Sequence, residues 1–129
     1  MSDKVKYEIE FPIKTSTKVL YNMLSTPSGL AEWFADDVNI RGDVYTFMWD
    51  GSEESARLLT KKNNEYIKFR WMDDDEDDSS YYFEMRIQID PLTKDVALMV
   101  TDHAEEDEVD EARDLWDQQL SELAHVLGS

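Results

Sequence analysis

Residues 81–89 read YYFEMRIQI. Tyr81, Phe83, Met85, Ile87 and Ile89 fall on one side of an extended chain, and Tyr82, Glu84, Arg86 and Gln88 fall on the other. A period of two, rich in aromatic and β-branched residues, predicts a strand with one buried face. Residues 109–127 read VDEARDLWDQQLSELAHVL, and the period changes. Val109, Ala112, Trp116, Leu120, Leu123 and Leu127 recur every three or four residues, which predicts a long helix with a single apolar stripe. Glu105, Glu106, Asp107 and Glu108 crowd its start, where the helix dipole favours acids, and Gly128 stands where a helix ends. A one-sided strand and a one-sided helix must cover each other, so the domain is α+β.

Upstream, the strand pattern continues. Val96–Thr101 is the last strand, reached through a turn at Pro91–Lys94. Tyr66–Trp71 sets Ile67, Phe69 and Trp71 on one face and Lys68 and Arg70 on the other. Glu54–Lys61 precedes it, with Asn63-Asn64 turning the chain. Val44–Trp49 places Tyr45, Phe47 and Trp49 together, and Asp50-Gly51 is a hairpin signal. Val38–Ile40 is a short strand that turns at Arg41-Gly42-Asp43. Sequential short hairpins imply an antiparallel meander.

Near the N-terminus, Lys4–Phe11 alternates, with Val5, Tyr7, Ile9 and Phe11 on one side and Lys4, Lys6, Glu8 and Glu10 on the other. Pro12 ends this strand. A helix capped near Thr15-Ser16 follows, with Val19, Leu20, Met23 and Leu24 as its stripe. A second short helix starts at Thr26-Pro27 and carries Leu30, Trp33 and Phe34. The order is strand, two short helices, a meander, long helix, which gives a curved antiparallel sheet of six or seven strands around the C-terminal helix. One domain spans residues 1–129.

The chain carries a net charge of −17, so its surface repels phosphate backbones, and nucleic acid is excluded as a partner. Cysteine is absent, which removes disulfides, thiolate metal sites and a cysteine nucleophile. No secretory leader and no apolar run of membrane length appears. The expectation is a soluble cytoplasmic protein with no membrane insertion. Composition does not decide the oligomeric state.

The order of elements is that of the helix-grip fold, and the residues resemble the START-like superfamily, also called SRPBCC or birch-pollen-allergen-like. They look closest to the branch resembling the C-terminal domain of the heat-shock-protein-90 ATPase activator. The matching stretches are Phe11-Pro12, Leu30-Ala31-Glu32-Trp33-Phe34, Phe69-Arg70-Trp71, Thr101-Asp102-His103, and Trp116 with Leu120 and Leu123. The resemblance implies a pocket under one helix for lipids, sterols, polyketides or other apolar molecules. Some members catalyse cyclisation or dehydration, and others act as carriers or co-chaperone modules. The activator's separate N-terminal ATPase-binding domain has no counterpart in these residues, which weighs against chaperone stimulation.

The chemistry legible in the residues is sparse. No Ser/His/Asp arrangement and no Gly-rich phosphate loop stands out. His103 beside Asp102 can be read as a general base with its orienting carboxylate, or as a polar pair closing the last strand. The second reading is preferred, and His125 is expected to be exposed. The acidic run Asp73–Asp78 lacks the glycine that an EF-hand loop needs, so it reads as a solvated hairpin tip, and no metal or cofactor is expected. The acids from Glu105 to Glu111 read as a solvated helix start.

The aromatic residues are more informative. Trp33, Phe34, Phe47, Trp49, Phe69, Trp71, Phe83 and Trp116 are expected to face one interior, joined by Met85 and Leu120. Tyr45 and Tyr81 could offer hydroxyls to the polar end of a guest. These residues form either a filled core or a pocket for an apolar small molecule. The scarcity of inward-facing polar groups favours a binding module, for such a molecule or for a protein partner, over a cyclase- or dehydratase-type enzyme.

Overall fold

The computed structural model describes residues 4–72 and 81–128. The Asp73–Asp78 run, read above as a hairpin tip, lies outside the described residues.

Strand β1 (Lys4–Pro12) buries Tyr7 and Ile9 and turns its charged residues outward. Two short helices follow. In α1 (Thr17–Ser25), the Ser16 hydroxyl accepts the Val19 amide at 3.1 Å. In α2 (Pro27–Trp33), the Thr26 hydroxyl accepts the Gly29 amide at 2.9 Å, and Pro27 occupies a first-turn position that needs no donor. The stripe of α1 differs from expectation. Val19 is 45% exposed, and Tyr21 takes the inner position beside Leu20, Met23 and Leu24.

Gly29 fixes how closely the two helices meet. A Cβ there would lie 2.4 Å from the Asn22 carbonyl oxygen and 2.8 Å from the Met23 Cα. Only glycine lets α2 turn back onto α1 at this distance. The Trp33 indole N–H then donates to the Met23 carbonyl at 2.9 Å and locks the pair.

The remaining strands are β2 (Asp37–Arg41), β3 (Val44–Trp49), β4 (Ser52–Lys62), β5 (Tyr66–Trp71), β6 (Phe83–Ile89) and β7 (Val96–Glu105). A single-turn 3₁₀ segment, Glu106–Glu108, leads into α3 (Val109–Val126). The seven strands form one antiparallel sheet in the order β1-β7-β6-β5-β4-β3-β2. β1 therefore closes against the last strand, and the sheet curls under α3. The β4–β5 register shifts between Leu58 and Thr60, a bulge that adds bend and twist. Among the described residues, no helix is long and apolar enough to cross a membrane.

Several strand limits differ from expectation by a residue or more, and two of these bear on the site. β7 runs on from Thr101 to Glu105, because β1 supplies a backbone partner for every residue, from Ala97 opposite Pro12 to Glu105 opposite Lys4. Polar side chains at Asp102 and His103 do not end a strand whose ladder is still paired. β6 begins at Phe83, two residues later than the alternation suggests.

The core lies between the concave face of the sheet and the helices. Leu20, Leu24, Leu30, Phe47, Phe69, Phe83, Met85, Val100, Leu120 and Leu123 are fully buried, and the described residues bury no polar or charged residue to that degree. α3 enters this core through Trp116, Leu120 and Leu123.

Candidate functional site

Strand alternation aims Tyr45, Phe47 and Trp49 from β3, Phe69 and Trp71 from β5, and Phe83 and Met85 from β6 toward α3. Phe34, at the end of α2, is the hub. Its ring centroid lies 5.4 Å from Trp33, 4.9 Å from Phe47, 5.7 Å from Trp49, 6.2 Å from Phe83 and 5.7 Å from Trp116. Trp71 stacks on Phe83 at 4.9 Å, Phe69 on Phe83 at 5.1 Å, and Tyr45 meets Phe69 edge-on at 4.8 Å. These separations are those of attractive stacked and edge-to-face pairs. Met85 and Leu120 are fully buried in the same core. Trp49 and Trp71 are only partly buried, so the ring cluster reaches the surface on that side.

Tyr81 is not brought to this group. Its ring lies 5.2 Å from that of His103, and its hydroxyl accepts the Lys4 amide at 2.9 Å. It sits before the start of β6, where the alternation that would have aimed it inward no longer holds. The Tyr45 hydroxyl is also committed, donating to the Ser25 carbonyl at 3.1 Å. Neither hydroxyl is poised for a guest, contrary to expectation.

The polar atoms around the rings hold elements together. The Phe34 carbonyl accepts the Trp49 indole N–H at 2.8 Å and the Gln119 amide at 3.1 Å, tying α2 to β3 and α3. Asp102 does the same for β1, β7 and α3. Its Oδ2 accepts the Trp116 indole N–H at 2.9 Å and the Tyr7 hydroxyl at 3.3 Å, and its Oδ1 accepts the His103 amide at 2.7 Å. Desolvation raises the Asp102 carboxyl above its ordinary range, partly offset by those donors, of which Trp116 is the strongest. Burial likewise raises the Tyr7 phenol, and the neighbouring Asp102 charge raises it further.

Asp102 and His103 are neighbours in a strand, so their side chains leave opposite faces of the sheet. The His103 ring turns away from the carboxylate, and its Nδ1 donates to the Tyr82 carbonyl at 2.9 Å. Asp102 therefore cannot orient His103 as a general base, and His103 lies within the strand instead of ending it. His125 is exposed on α3.

Two features were not anticipated. The Tyr21 hydroxyl is buried without a hydrogen-bond partner, and burial raises its pKa. At the entry to α3, carboxylate oxygens of Glu105, Asp107 and Glu108 lie within 4.8 Å of one another, and the hydrogen bond and charge from Glu105 raise the Glu108 carboxyl. An open cleft of about 700 Å³ beside this acidic trio is lined by His103, Glu105, Glu111, Leu115 and Gln118, and none of the candidate rings lines it.

A model of the START-like superfamily domain matches residues 1–129. The chain belongs to the START-like superfamily. Solved structures share its fold. A Bacteroides fragilis protein determined by NMR is 35% identical, with a TM-score of 0.66, covering 98% of this chain and 93% of its own. The Aha1 dimer from Colwellia psychrerythraea reaches a TM-score of 0.78 at 17% identity, with 93% of each chain covered. A Staphylococcus saprophyticus protein reaches 0.77 at 11% identity, covering 96% of this chain and 92% of its own. The last two likenesses concern the fold alone. No curated protein matches the sequence. In this START-like domain the expected helix-grip architecture is present, with seven strands around α3.

The inward position of Asp102 was missed, although Leu98, Val100 and Asp102 continue one alternation. Gln119 and the Phe34 carbonyl carry no sequence signal, because their roles depend on how α3 crosses α2.

Proposed function

We propose that this START-like domain is a non-catalytic module that holds a flat, apolar small molecule against the aromatic face between the sheet and α3. The observation that carries the reading is the opening of the ring cluster at Trp49 and Trp71, which are partly buried while Phe47, Phe69 and Phe83 behind them are fully buried. A guest that stacks on Trp71 continues the offset stack that Trp71 already makes with Phe83 at 4.9 Å. The polar groups nearest the rings are engaged in structural hydrogen bonds, so recognition rests on shape and stacking. The same engagement argues against catalysis, since the partly buried carboxylate of Asp102 serves three donors and faces away from the His103 ring. No ligand identity follows from the fold itself.

Intrinsic fluorescence titration with a fatty acid, a sterol and a polycyclic aromatic tests the proposal. Saturable quenching by the polycyclic compound, weakened at least tenfold in a folded Trp71→Ala variant, supports it. Flat titrations across all three classes would leave the protein-partner reading in its place.

A further inference from the structure

β1 is an edge strand, paired with β7 on one side only. Its residues 4–10 read KVKYEIE, with two lysines before Tyr7 and two glutamates after it. Lys6, Glu8 and Glu10 are exposed, and Val5 is 40% exposed. The direction of the backbone groups follows from the ladder. The Ile13 N–H donates to the Val96 carbonyl at 3.0 Å, in the register that sets Pro12 opposite Ala97. Alternation then turns the backbone groups of odd-numbered residues toward β7 and those of even-numbered residues outward. Pro12, which has no N–H, falls at an outward position, as proline on an edge should.

We propose that this edge docks a second copy of the chain, the two β1 strands pairing antiparallel about a two-fold axis at Tyr7. In that register Lys6 opposes Glu8 of the second copy and Lys4 opposes Glu10, while Val5 opposes Ile9. The axis makes each pair occur twice. The Lys4 amide already donates to the Tyr81 hydroxyl, so the hydrogen-bonded heart of the pairing is Lys6 with Glu8. Opposite charges directly across antiparallel strands stabilise a pairing, and like charges destabilise it. Charge also fixes the register. Moving the axis to residue 6 sets Lys6 against Lys6, moving it to residue 8 sets Glu8 against Glu8, and an in-register parallel pairing sets every charge against its like. Exposed edges are commonly blunted by lysine or proline. Here the two signs are segregated on either side of Tyr7, which repels other strands and registers and accepts its own.

A single pair of short strands buries less surface than a stable interface needs, so the dimer is in equilibrium with the monomer. Sedimentation velocity over a concentration series, in enough salt to screen repulsion between chains of net charge −17, reads that equilibrium. The wild-type protein is expected to shift from monomer to dimer with concentration. Lys6→Glu and Glu8→Lys each place two like-charged pairs across the axis and are expected to weaken dimerisation more than about tenfold. An equimolar mixture of the two variants restores the pairing as a heterodimer, and the double variant Lys6→Glu/Glu8→Lys restores it as a homodimer. Hydrogen exchange on the wild-type protein gives a second readout, with Lys6 and Glu8 amides slowing as concentration rises. A wild-type monomer at every concentration, a dimer indifferent to both single variants, or a mixture that stays monomeric would overturn the proposal.

Discussion

Trp116 is where the apolar and polar halves of the core meet. It is 6% exposed, its ring contacts Phe34 at 5.7 Å and Phe83 at 6.2 Å, and its indole N–H donates to Asp102 at 2.9 Å. Trp116→Ala removes the ring and the donor together. Truncating a buried tryptophan costs roughly 3–5 kcal/mol, a large share of the total stability of a domain of this size. Trp116→Phe separates the two contributions. It keeps most of the ring contacts but deprives a partly buried carboxylate of its strongest donor, at a cost of about 1.5–3 kcal/mol. The Trp116 bond lowers the Asp102 pKa, so its loss raises that pKa further. A group with a raised folded-state pKa contributes stability that is full below its unfolded pKa and lost as pH rises through the folded value. The deficit of Trp116→Phe is therefore largest at neutral pH and shrinks on acidification toward the ordinary carboxylate range. Urea unfolding of the three proteins from pH 4 to pH 7 provides the assay. A loss below about 1 kcal/mol for Trp116→Ala would show that the indole is no part of the core. A Trp116→Phe deficit independent of pH would show that its bond to Asp102 does not matter.

Further outcomes follow from single residues. Asp102→Asn turns an amide NH2 toward a donor, because Oδ2 accepts Trp116 and Tyr7 while Oδ1 accepts the His103 amide, so the variant is less stable than the parent, and its deficit grows as pH falls because protonation relieves the parent's buried carboxylate; thermal melts across that range check it. Gly29→Ala drives a methyl into the Asn22 carbonyl and the Met23 backbone, neither of which is a flexible side-chain end, and should cost roughly 1–3 kcal/mol in urea unfolding. Thr26→Ala removes the oxygen that accepts the Gly29 amide and should cost about 1 kcal/mol in the same assay.

Period and punctuation made most of the fold legible. Alternation at Tyr66–Trp71 and Val44–Trp49 matched the strands residue for residue, because these strands are half-buried and their two faces meet opposite environments. Thr26-Pro27 marked a helix start because cap chemistry is local. The misreadings arose where a distant partner decides the outcome. β7 extends to Glu105 because β1, nearly a hundred residues away in the chain, pairs with it throughout. Tyr21 takes an inner position and Val19 stays exposed because α1 lays that face against β5 and β6. The candidate set could be read from strand alternation and helical spacing, and eleven of its twelve members lie in or against one core. Tyr81 is the exception, since the alternation that recruited it stops short of its position. The acceptors that hold the set in place, the Asp102 carboxylate and the Phe34 carbonyl, depend on helix crossings that no local pattern records.

A flat apolar guest is proposed to meet the aromatic face at Trp49 and Trp71. The chain has four tryptophans, so its indole N–H resonances provide four separate reporters. A two-dimensional NMR titration with a polycyclic aromatic follows all four at once. Saturable shifts are expected, largest for Trp71 and Trp49, smaller for Trp116, and smallest for Trp33, whose N–H is bound to the Met23 carbonyl on the far side of α2. Four unmoved resonances at saturating ligand, or shifts confined to Trp33, would contradict the proposal.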